Sequence, residues 1–511
     1  MAKYKAYDYN QLVMVPVSLS DQLQPGTLEH TIHYVVSERM DLSAFAAEYQ
    51  NDETGRTAYD PAILLKIVLL GYARGQNTSR RLERACRENV VFMAMTCGQR
   101  PDHSTIAAFV SGMKPGQVED LFAQVLLVCE EEGLLAGTYF SLDGLKLASN
   151  ASKEWSGKRS DLERKRDALR ELVKKAAQEH RQKDREGGEG GEAIARRVQR
   201  LERNAKRIER FLAENEAKMG RSGNEVQSNV TDNESAKMKS AHGTIQGYNA
   251  NAMTDAKAQV VVHAEVFGEA DDASLAGPMI EGAERNLEAV GRGPNALANQ
   301  VLSADTGYYS VKNLTACRAH EVDAYIPDRH FRQRDPRFAE ALRHRRPMDR
   351  HKRQFTSRKK YFGTEDFRYD DQTGKLICPS GAELYVRTHN FEVDGNRYIA
   401  YQAPVRACRH CPLRSKCLRN PNTPARQVHI LVGRRPGGLT DEMKAKIDTP
   451  EGRAIYSKRL AIVEPVFGNI RAQKRLDRFT LRGRQKVNTQ WKLYCLVHNL
   501  EKIRHAVGGL N

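Results

Sequence analysis

The stretch IQGYNANAMTDAKAQVVVHAEVF, residues 245–267, decides the fold class, because β-branched and other apolar residues fill two short runs there. Such runs predict two strands. Further along, the pattern predicts an amphipathic helix over 273–291, a strand in QVLSADTGYYS (300–310), a helix in SVKNLTACRAHE (310–321) and an apolar run in VDAYIPD (322–328). Strands that alternate with helices predict a mixed α/β sheet. Its first strand would be TYFSLDGLKL (138–147).

The charge balance of the chain points to a polyanionic partner. The 511 residues carry a formal net charge of +17, and 40% of them are hydrophobic. A chain of this length and apolar content exceeds one ordinary core, so we expect a folded protein of several domains. Its excess of basic residues makes nucleic acid the leading candidate for the partner.

No apolar run approaches the length of a membrane span, and the start MAKYKAYDYN is not expected to be a signal peptide. The nine cysteines are unevenly spaced, which favours a reducing compartment over a disulfide framework. We therefore expect a cytoplasmic protein with no membrane partner.

The first 125 residues have apolar side chains at spacings of three and four, as in PAILLKIVLLGYARG (61–75). This spacing predicts a helical N-terminal domain over 1–125. Residues 78–113 predict two short helical segments around a Gly/Pro turn, with Asp102 or Ser104 as an N-cap. That arrangement is compatible with a DNA-binding helix-turn-helix, and an ordinary helical hairpin in a small bundle is the alternative.

Residues 158–219 are rich in Arg, Lys and Glu, and their apolar residues follow the spacings of a coiled-coil seam. These seam residues are Leu162, Leu169, Leu172, Ala176, Ile194, Val198, Leu201, Ala205, Ile208 and Leu212. EGGEGGE (186–192) interrupts the pattern and supplies a turn. We expect an antiparallel helical hairpin inserted over 156–224, with a solvated spacer that binds nothing as the alternative.

A strongly basic segment follows the sheet pattern. Residues 329–360 contain thirteen Arg or Lys against three acids, with aromatic residues interleaved. This composition favours contact with nucleic-acid phosphates, and we assign that contact to Arg345, Arg346 and Arg350. A merely solvated face is the alternative.

Four cysteines cluster in the next segment, within a basic and cysteine-rich insertion that we expect over 329–450. Cys408 and Cys411 form a C-x-x-C pair, Cys417 follows, and Cys378 lies upstream in CPSGAELY. Four thiolates can close a tetrahedral shell around one structural Zn²⁺. His410 could replace one cysteine, and four unligated thiols on a small β-module are the alternative.

Three isolated acids are candidates for catalysis. Asp143 and Asp305 each end a β-like run and precede a glycine, Gly144 or Gly307. Carboxylates from adjacent strand ends can share divalent cations. Glu464 stands alone before a run of seven Arg or Lys between 471 and 486, and it would come from a helix packed across the sheet.

Pro465 follows this third acid directly, so we expect a kink or a helix start at that point. Taken singly, none of the three acids is decisive, since an Asp at a strand end caps a turn more often than it binds metal. Glu464 in surface ion pairs with Arg459 or Arg471 is the alternative.

Several of these segments resemble the DDE-type transposases of bacterial insertion sequences. They are SLDGLKLASNASK, GYNANAMTD, LSADTGYYS and YSKRLAIVEPVFGNIRAQKRLDRFTLRGRQKV. The resemblance implies an α/β fold with a ribonuclease-H-like mixed sheet core, an N-terminal all-helical domain, a coiled-coil hairpin insertion and a small cysteine-containing insertion. The core would span 138–155 and 225–328, and C-terminal helices over 451–511 would complete it.

The same resemblance implies roles for individual residues. Asp143, Asp305 and Glu464 would be the catalytic acids and would hold two Mg²⁺ ions, a geometry suited to phosphodiester chemistry. Tyr456, Arg459 and Arg471 resemble the family's Tyr, Arg, Glu, Lys signature around Glu464 and would contact the transposon end. The signature's last position is Arg here rather than Lys, and its Arg-to-Glu interval is one residue longer than is typical. Lys474 and Arg475 would also contact DNA.

The function implied is a transposase that binds double-stranded DNA at the ends of its element, cleaves it and joins the freed 3′-hydroxyl to target DNA. Cutting two ends together implies a homodimer in a synaptic complex. A metal-dependent nuclease of the same fold that does not join strands is one alternative. A domesticated DNA-binding protein that has lost its chemistry is the other.

Overall fold

The computed structural model describes residues 18–46, 57–186, 191–220, 223–240, 243–338, 361–370, 373–393, 396–434 and 438–507. The chain forms two compact units. The first comprises Met1–Tyr308, Ala316–Ala324 and Ser457–Asn511, and the second comprises Tyr309–Thr315 and Tyr325–Tyr456. The predicted insertion over 329–450 therefore begins and ends close to the borders of the second unit.

The N-terminal part of the first unit is helical, as predicted. Its helices are α1 (Leu28–Tyr34), α2 (Ser43–Ala46), α3 (Pro61–Ala73), α4 (Ser79–Glu88), α5 (Val90–Met95), α6 (His103–Gly112) and α7 (Pro115–Glu131). The segment 78–113 forms three helices rather than the two expected, because Asn89 caps an additional helix by accepting a hydrogen bond of 3.0 Å from Val91 N–H. Asp102, one of the two predicted caps, caps α6.

A helical hairpin interrupts the first unit, with α8 (Arg159–Glu186) and α9 (Gly191–Glu214) as its arms. The arms run antiparallel, since Arg170 pairs with Glu209 while Glu179 pairs with Arg197. Of the predicted seam, Leu162, Ile208 and Leu212 form a buried cluster, whereas Leu172 is 43% exposed. Part of the EGGEGGE turn, residues 187–190, lies outside the described residues.

The sheet of the first unit is mixed, which confirms the α/β class. Its strands are β1 (Tyr139–Ala148), β4 (Ala236–Ser240), β5 (Gly243–Asp255), β6 (Val261–Phe267), β7 (Val301–Ala304) and β8 (Asp323–Tyr325). They lie in the order β4-β5-β1-β7-β8, with β6 also paired to β5. The central strand β1 is antiparallel to β5 and parallel to β7. Short strands β2 (Ser156–Gly157) and β3 (Ser228–Asn229) pair separately, and α10 (Ala276–Ala289) and α11 (Val311–Ala319) fall where helices were predicted.

The second unit contains a five-stranded antiparallel sheet in the order β13-β12-β11-β10-β9. Its strands are β9 (Arg368–Asp370), β10 (Lys375–Ile377), β11 (Glu383–Val393), β12 (Asn396–Gln402) and β13 (Gln427–Arg434). The helices that follow β12 in the chain are α12 (Val405–Arg409), α13 (Arg414–Cys417), α14 (Leu439–Asp448) and α15 (Pro450–Ser457). Leu376, Leu384 and Tyr401 form part of a buried apolar core there.

Two C-terminal helices, α16 (Arg459–Gly468) and α17 (Arg484–Val507), return the chain to the first unit. α17 packs against α3, α7 and β6, so it joins the N-terminal helices to the sheet. On its buried face Trp491 donates a hydrogen bond of 2.8 Å to the carbonyl oxygen of Asn251, and the ring of Tyr494 stacks on Tyr72 at 4.4 Å. Within the described ranges no helix is long and apolar enough to cross a membrane.

Candidate active site

The parallel pairing of β1 with β7 places two of the predicted acids side by side. The last residue pair of that ladder is Leu142 with Ala304. Asp143 is the next residue of β1, and Asp305 directly follows the end of β7. The sequence pattern suggested that Asp143 ends its strand, but β1 does not end there. The strand continues to Ala148 because β5 still pairs with it, and only the pairing with β7 stops before Asp143.

Helix α16 brings the third acid to the same region. The helix packs against β1 and β5 through its buried face, which includes Val463 and Val466, while Glu464 is exposed. Asp143, Glu464 and Arg471 line one cavity of about 570 Å³. The helix begins at Arg459 and runs through Pro465, so the expected helix start at Pro465 is wrong.

The environment of Asp143 combines burial with a strong positive neighbour. Its side chain is 16% exposed, and its Oδ2 accepts a hydrogen bond of 2.5 Å from the guanidinium of Arg459. The pKa of Asp143 is raised to about 6, mainly by burial; the charge of Arg459 opposes this rise, and the charges of Asp305 and Glu464 add to it. The three acids are therefore close enough to repel one another, and a cation in this region would relieve that repulsion.

A fourth carboxylate, which the sequence analysis missed, lies beside the first two. Asp272 is half-buried, and its Oδ1 accepts a hydrogen bond of 2.6 Å from Asn249. Burial, followed by the charges of Asp272, Asp143 and Asp305, raises the pKa of the buried Tyr308. The charges of all three carboxylates thus act on the same hydroxyl. The segment EADDAS around Asp272 has no apolar run or motif that would have distinguished it from an ordinary polar loop.

The residues at this site suit a divalent cation by their donor chemistry. A Cβ atom at Gly307 would lie 2.8 Å from Asp272 Oδ2 and 2.9 Å from Asp305 Oδ1, so the glycine leaves a small space lined by carboxylate oxygens. Oxygen atoms are the ligands that Mg²⁺ prefers. Nevertheless, among the residues that the structure describes, no group of three or more His, Cys, Asp or Glu side chains is placed to hold a metal ion directly.

The residues of the predicted DNA-contact signature lie in different surroundings. Arg459 is 5% exposed and contacts Asp143, so it lies against a catalytic candidate rather than on the surface. The ring of Tyr456 is half-buried and meets the ring of Phe331 edge-on at 5.4 Å. Arg471 lines the cavity beside Glu464.

Lys474 does not fit the DNA contact predicted for it. Its side chain is 0% exposed, and its ammonium group contacts Asn469 and donates a hydrogen bond of 2.5 Å to Glu501. Burial lowers the pKa of Lys474, and the nearby carboxylate of Glu501 counteracts that effect. The lysine therefore stabilises the interior of the first unit, and we remove it from the candidate DNA surface.

Arg475, by contrast, is exposed and belongs to a second cavity of about 570 Å³. Arg81 on α4 and Arg478 line the same cavity, and Asp477 borders both this cavity and the one that contains Asp143. The sequence pattern does not single out either arginine. Arg81 lies in the predicted helical segment 78–113, and Arg478 lies in the basic run between 471 and 486. Arg345, Arg346 and Arg350 lie outside the described residues.

The four predicted cysteine ligands come together in the second unit. Cys378, Cys408, Cys411 and Cys417 all line one cavity of about 30 Å³. Burial raises the pKa of the Cys417 thiol, Arg426 opposes the shift, and the other three thiols add to it. His410 is exposed and does not line the cavity. Four thiols suit Zn²⁺ by their donor chemistry, although among the described residues their side chains are not placed to coordinate an ion directly.

Backbone hydrogen bonds shape the loops around these thiols. Cys378 begins a tight turn in which Gly381 N–H donates to the Cys378 carbonyl at 2.8 Å, and Gly381 adopts a φ of +82° that favours glycine. Arg414 donates to the Cys408 carbonyl at 2.8 Å, and Arg426 donates to the Cys417 carbonyl at 3.2 Å. The cysteine-bearing loops are thus held by hydrogen bonds from two partly buried arginines.

Two family models match parts of the chain. The model described as Transposase DDE domain matches residues 377–504, and the model described as Transposase domain (DUF772) matches residues 17–112. No curated protein matches the chain. The first match contains the cysteine cluster and Glu464 but begins after Asp143 and Asp305. The second covers helices α1–α6.

Proposed function

We propose that the chain, parts of which match transposase family models, is a DDE-type transposase of an insertion sequence that cuts DNA at the ends of its own element and joins the freed 3′-hydroxyl to target DNA. DNA is the substrate that membership of this family implies. Asp143, Asp305 and Glu464 are the proposed catalytic acids, on a core that we propose to be ribonuclease-H-like. The acting form would be a homodimer that holds two ends in a synaptic complex in the cytoplasm.

This proposal rests on one observation: three segments that are far apart in the chain lie close together in the fold. The register of β1 on β7 aligns Asp143 with Asp305, and α16 adds Glu464 to the cavity that Asp143 lines. Transposases of this family generally use divalent metal ions. We propose that the acids hold two Mg²⁺ ions, which would activate the attacking hydroxyl and stabilise the leaving oxygen.

The basic residues near the acids would then position the DNA. Arg471 lines the same cavity as Asp143 and Glu464, so it is placed to contact phosphates next to the bond that is cut. Arg81, Arg475 and Arg478 line the neighbouring cavity and would hold the DNA backbone further along. Arginine contacts of this kind give position and affinity without reading sequence.

The cysteine cluster would have a structural role. We propose that Cys378, Cys408, Cys411 and Cys417 bind one Zn²⁺ as thiolates, because all four line one small cavity and four thiolates match the preferred shell of structural zinc. The cluster belongs to the second unit, while the three acids belong to the first. A role in folding the small sheet is therefore the simplest one.

A strand-transfer assay tests the function. Labelled DNA that carries the ends of the element is incubated with the full chain, Mg²⁺ and an unlabelled plasmid. We expect the label to appear covalently in the plasmid. Cleavage without joined product would favour the nuclease alternative, and end binding without cleavage in either Mg²⁺ or Mn²⁺ would favour the DNA-binding alternative.

The oligomeric state can be tested separately by light scattering. We expect a particle that contains two chains and two DNA ends when end DNA is added. A particle with one chain and one end, in a sample that still performs strand transfer, would contradict the synaptic dimer.

A further inference from the structure

The carboxylate of Asp272 faces that of Asp305 across a glycine. A Cβ atom at Gly307 would come within 2.8 Å of Asp272 Oδ2 and within 2.9 Å of Asp305 Oδ1. The structure thus keeps two negatively charged oxygens around a space that a single methyl group would fill. Like charges held this close are unfavourable unless a proton or a cation lies nearby.

A second glycine, Gly144, leaves a similar space on the other side of Asp272. A Cβ atom there would lie 2.7 Å from Asn249 Oδ1, 3.1 Å from Asn251 Oδ1 and 3.3 Å from Asp272 Oδ1. Gly144 follows Asp143 directly, just as Gly307 closely follows Asp305. The absence of a side chain at both positions therefore lets the oxygens of Asp272 approach both catalytic strands.

An unpaired buried oxygen, Asn249 Oδ1, lies at the space beside Gly144, next to Asp272 Oδ1. Asn249 is 0% exposed, and its Nδ2 donates to Asp272. Its Oδ1, however, has no hydrogen-bond partner among the residues that the structure describes. A buried polar atom of this kind requires an explanation, and a nearby cation would supply one, because amide and carboxylate oxygens are both ligands of hard divalent ions.

We propose that Asp272 is a fourth carboxylate of the metal site and that it binds a divalent cation together with Asp305 and the side-chain oxygen of Asn249. This inference rests on the proposed function, since it adds ligands to the same catalytic centre. It extends that function by assigning a metal ligand to a loop between β6 and α10, outside the three acids of the DDE set.

The test compares Asp272→Asn with Asp271→Asn. The two residues are adjacent acids, but Asp271 is exposed, so the second variant controls for the loss of one negative charge in the loop. Asn at position 272 keeps an oxygen that can accept the hydrogen bond from Asn249. Binding of Mn²⁺ to the full chain without DNA is measured by electron paramagnetic resonance, and folding is checked by thermal unfolding.

We expect Asp272→Asn to weaken Mn²⁺ binding at least tenfold, or to remove one bound ion, while Asp271→Asn changes it less than twofold. Gly307→Ala provides a second route, because its methyl group would enter the space between Asp272 and Asp305. We expect it to weaken Mn²⁺ binding as well.

The outcomes separate this inference from the proposed function. If Asp143→Asn weakens Mn²⁺ binding and cleavage while Asp272→Asn and Gly307→Ala both behave like Asp271→Asn, the fourth ligand is overturned and the function stands. If Asp143→Asn leaves both metal binding and cleavage intact, the proposed catalytic centre itself is overturned. If Asp272→Asn folds but binds Mn²⁺ more weakly, the inference is supported. If Asp272→Asn fails to fold, weaker Mn²⁺ binding by Gly307→Ala supports it instead.

Discussion

The carboxylate site of the first unit and the cysteine cluster of the second are assembled in opposite ways. Asp143, Asp305 and Glu464 are far apart in the chain and meet through strand register and the packing of α16. The four cysteines lie within residues 378–417 and meet through turns and hydrogen bonds to loop carbonyls. A site built by the global fold can bring together reactive groups that the chain keeps apart, whereas a locally built site is suited to stabilising its own module.

The two sites also differ in their electrostatics. The carboxylate site holds Asp143 against Arg459 in a nearly buried ion pair, so charges there are already balanced in part by the protein. The cysteine cavity is lined by four thiol groups, which bind zinc only as thiolates, so zinc binding releases protons. Changes at the first site should therefore alter catalysis, and changes at the second should alter stability.

The largest expected effect comes from neutralising one of the three proposed catalytic acids. Asp143→Asn, Asp305→Asn or Glu464→Gln keeps the shape of the side chain but removes the charge that binds the cation, so cleavage should fall by about 10⁴-fold each time. Binding of end DNA should persist. Because the acids act as a unit, the triple variant should be scarcely slower than a single one. Gel assays of cleaved DNA measure these rates.

Asp323→Asn is the control for this series, because Asp323 is an acid at the start of β8 and outside the proposed set. Its cleavage rate should stay near that of the wild type. Loss of cleavage in Asp323→Asn together with an active Glu464→Gln protein would show that the catalytic set is wrong.

The second effect concerns zinc. Replacing Cys408 and Cys411 by Ser should reduce the metal content of the purified protein from about one zinc per chain to almost none. The unfolding temperature of the second unit should fall by roughly 5–10 °C, since metal binding is coupled to folding. Elemental analysis and calorimetry give the two quantities.

Cys97→Ser is the matched control, because Cys97 is an exposed cysteine away from the cluster. It should leave both zinc content and stability unchanged. If freshly purified wild-type protein contained no zinc, the proposed zinc site at the four cysteines would be wrong.

The third effect is a pH dependence that belongs to the first unit. Burial, aided by the charge of Lys474, lowers the pKa of His498 from 6.5 to about 3, and its Nε2 donates to the Gln259 carbonyl at 2.9 Å. The unfolded chain takes up this proton near pH 6.5, whereas the folded chain does not. The free energy of unfolding should therefore fall as pH drops from 6.5 towards 3, by up to about 1.4 kcal/mol per pH unit.

His498→Gln should flatten this dependence, because glutamine keeps a donor for Gln259 but does not titrate. His505→Gln, an exposed position on the same helix, should leave it unchanged. Denaturant titrations followed by tryptophan fluorescence suit the test, since both tryptophans, Trp155 and Trp491, belong to the first unit. Equal slopes against pH in wild type and His498→Gln would contradict the assignment.

The smallest effect concerns the basic run. Reversing Arg345, Arg346 and Arg350 to Glu should weaken DNA binding by a similar factor for every sequence. The slope of log affinity against log salt should become shallower by about 3, because roughly three phosphate contacts are lost. An unchanged slope would assign this run to a solvated face and leave DNA contact to the residues around the active site.

Much of the fold could be predicted because its signals are local. The strand pattern over 245–267 and the helix over 273–291 appear as β5, β6 and α10 within a few residues, since hydrophobic periodicity reflects which side of an element is buried. The extent of β1 beyond Asp143 could not be predicted in this way. It depends on a partner strand, β5, that lies about a hundred residues away in the chain.

The candidate site was predictable only in part. The sequence singled out Asp143, Asp305 and Glu464, while the burial of Arg459 and Lys474 was not foreseen, because a cationic side chain is normally exposed unless a partner neutralises it. Those partners, Asp143 and Glu501, are distant in the chain. Asp272 was missed because its segment, EADDAS, resembles an ordinary polar loop.

By itself, the sequence determined the α/β class, the helical N-terminal region, the hairpin arms and the resemblance to transposases, because each depends on periodicity or motif within a short window. Only the tertiary structure decided which charges face each other. Strand register placed Asp143 beside Asp305, and glycines at 144 and 307 left room for the oxygens of Asp272. The physical reason is that electrostatic interactions depend on distance and burial in space, and neither can be measured along the chain.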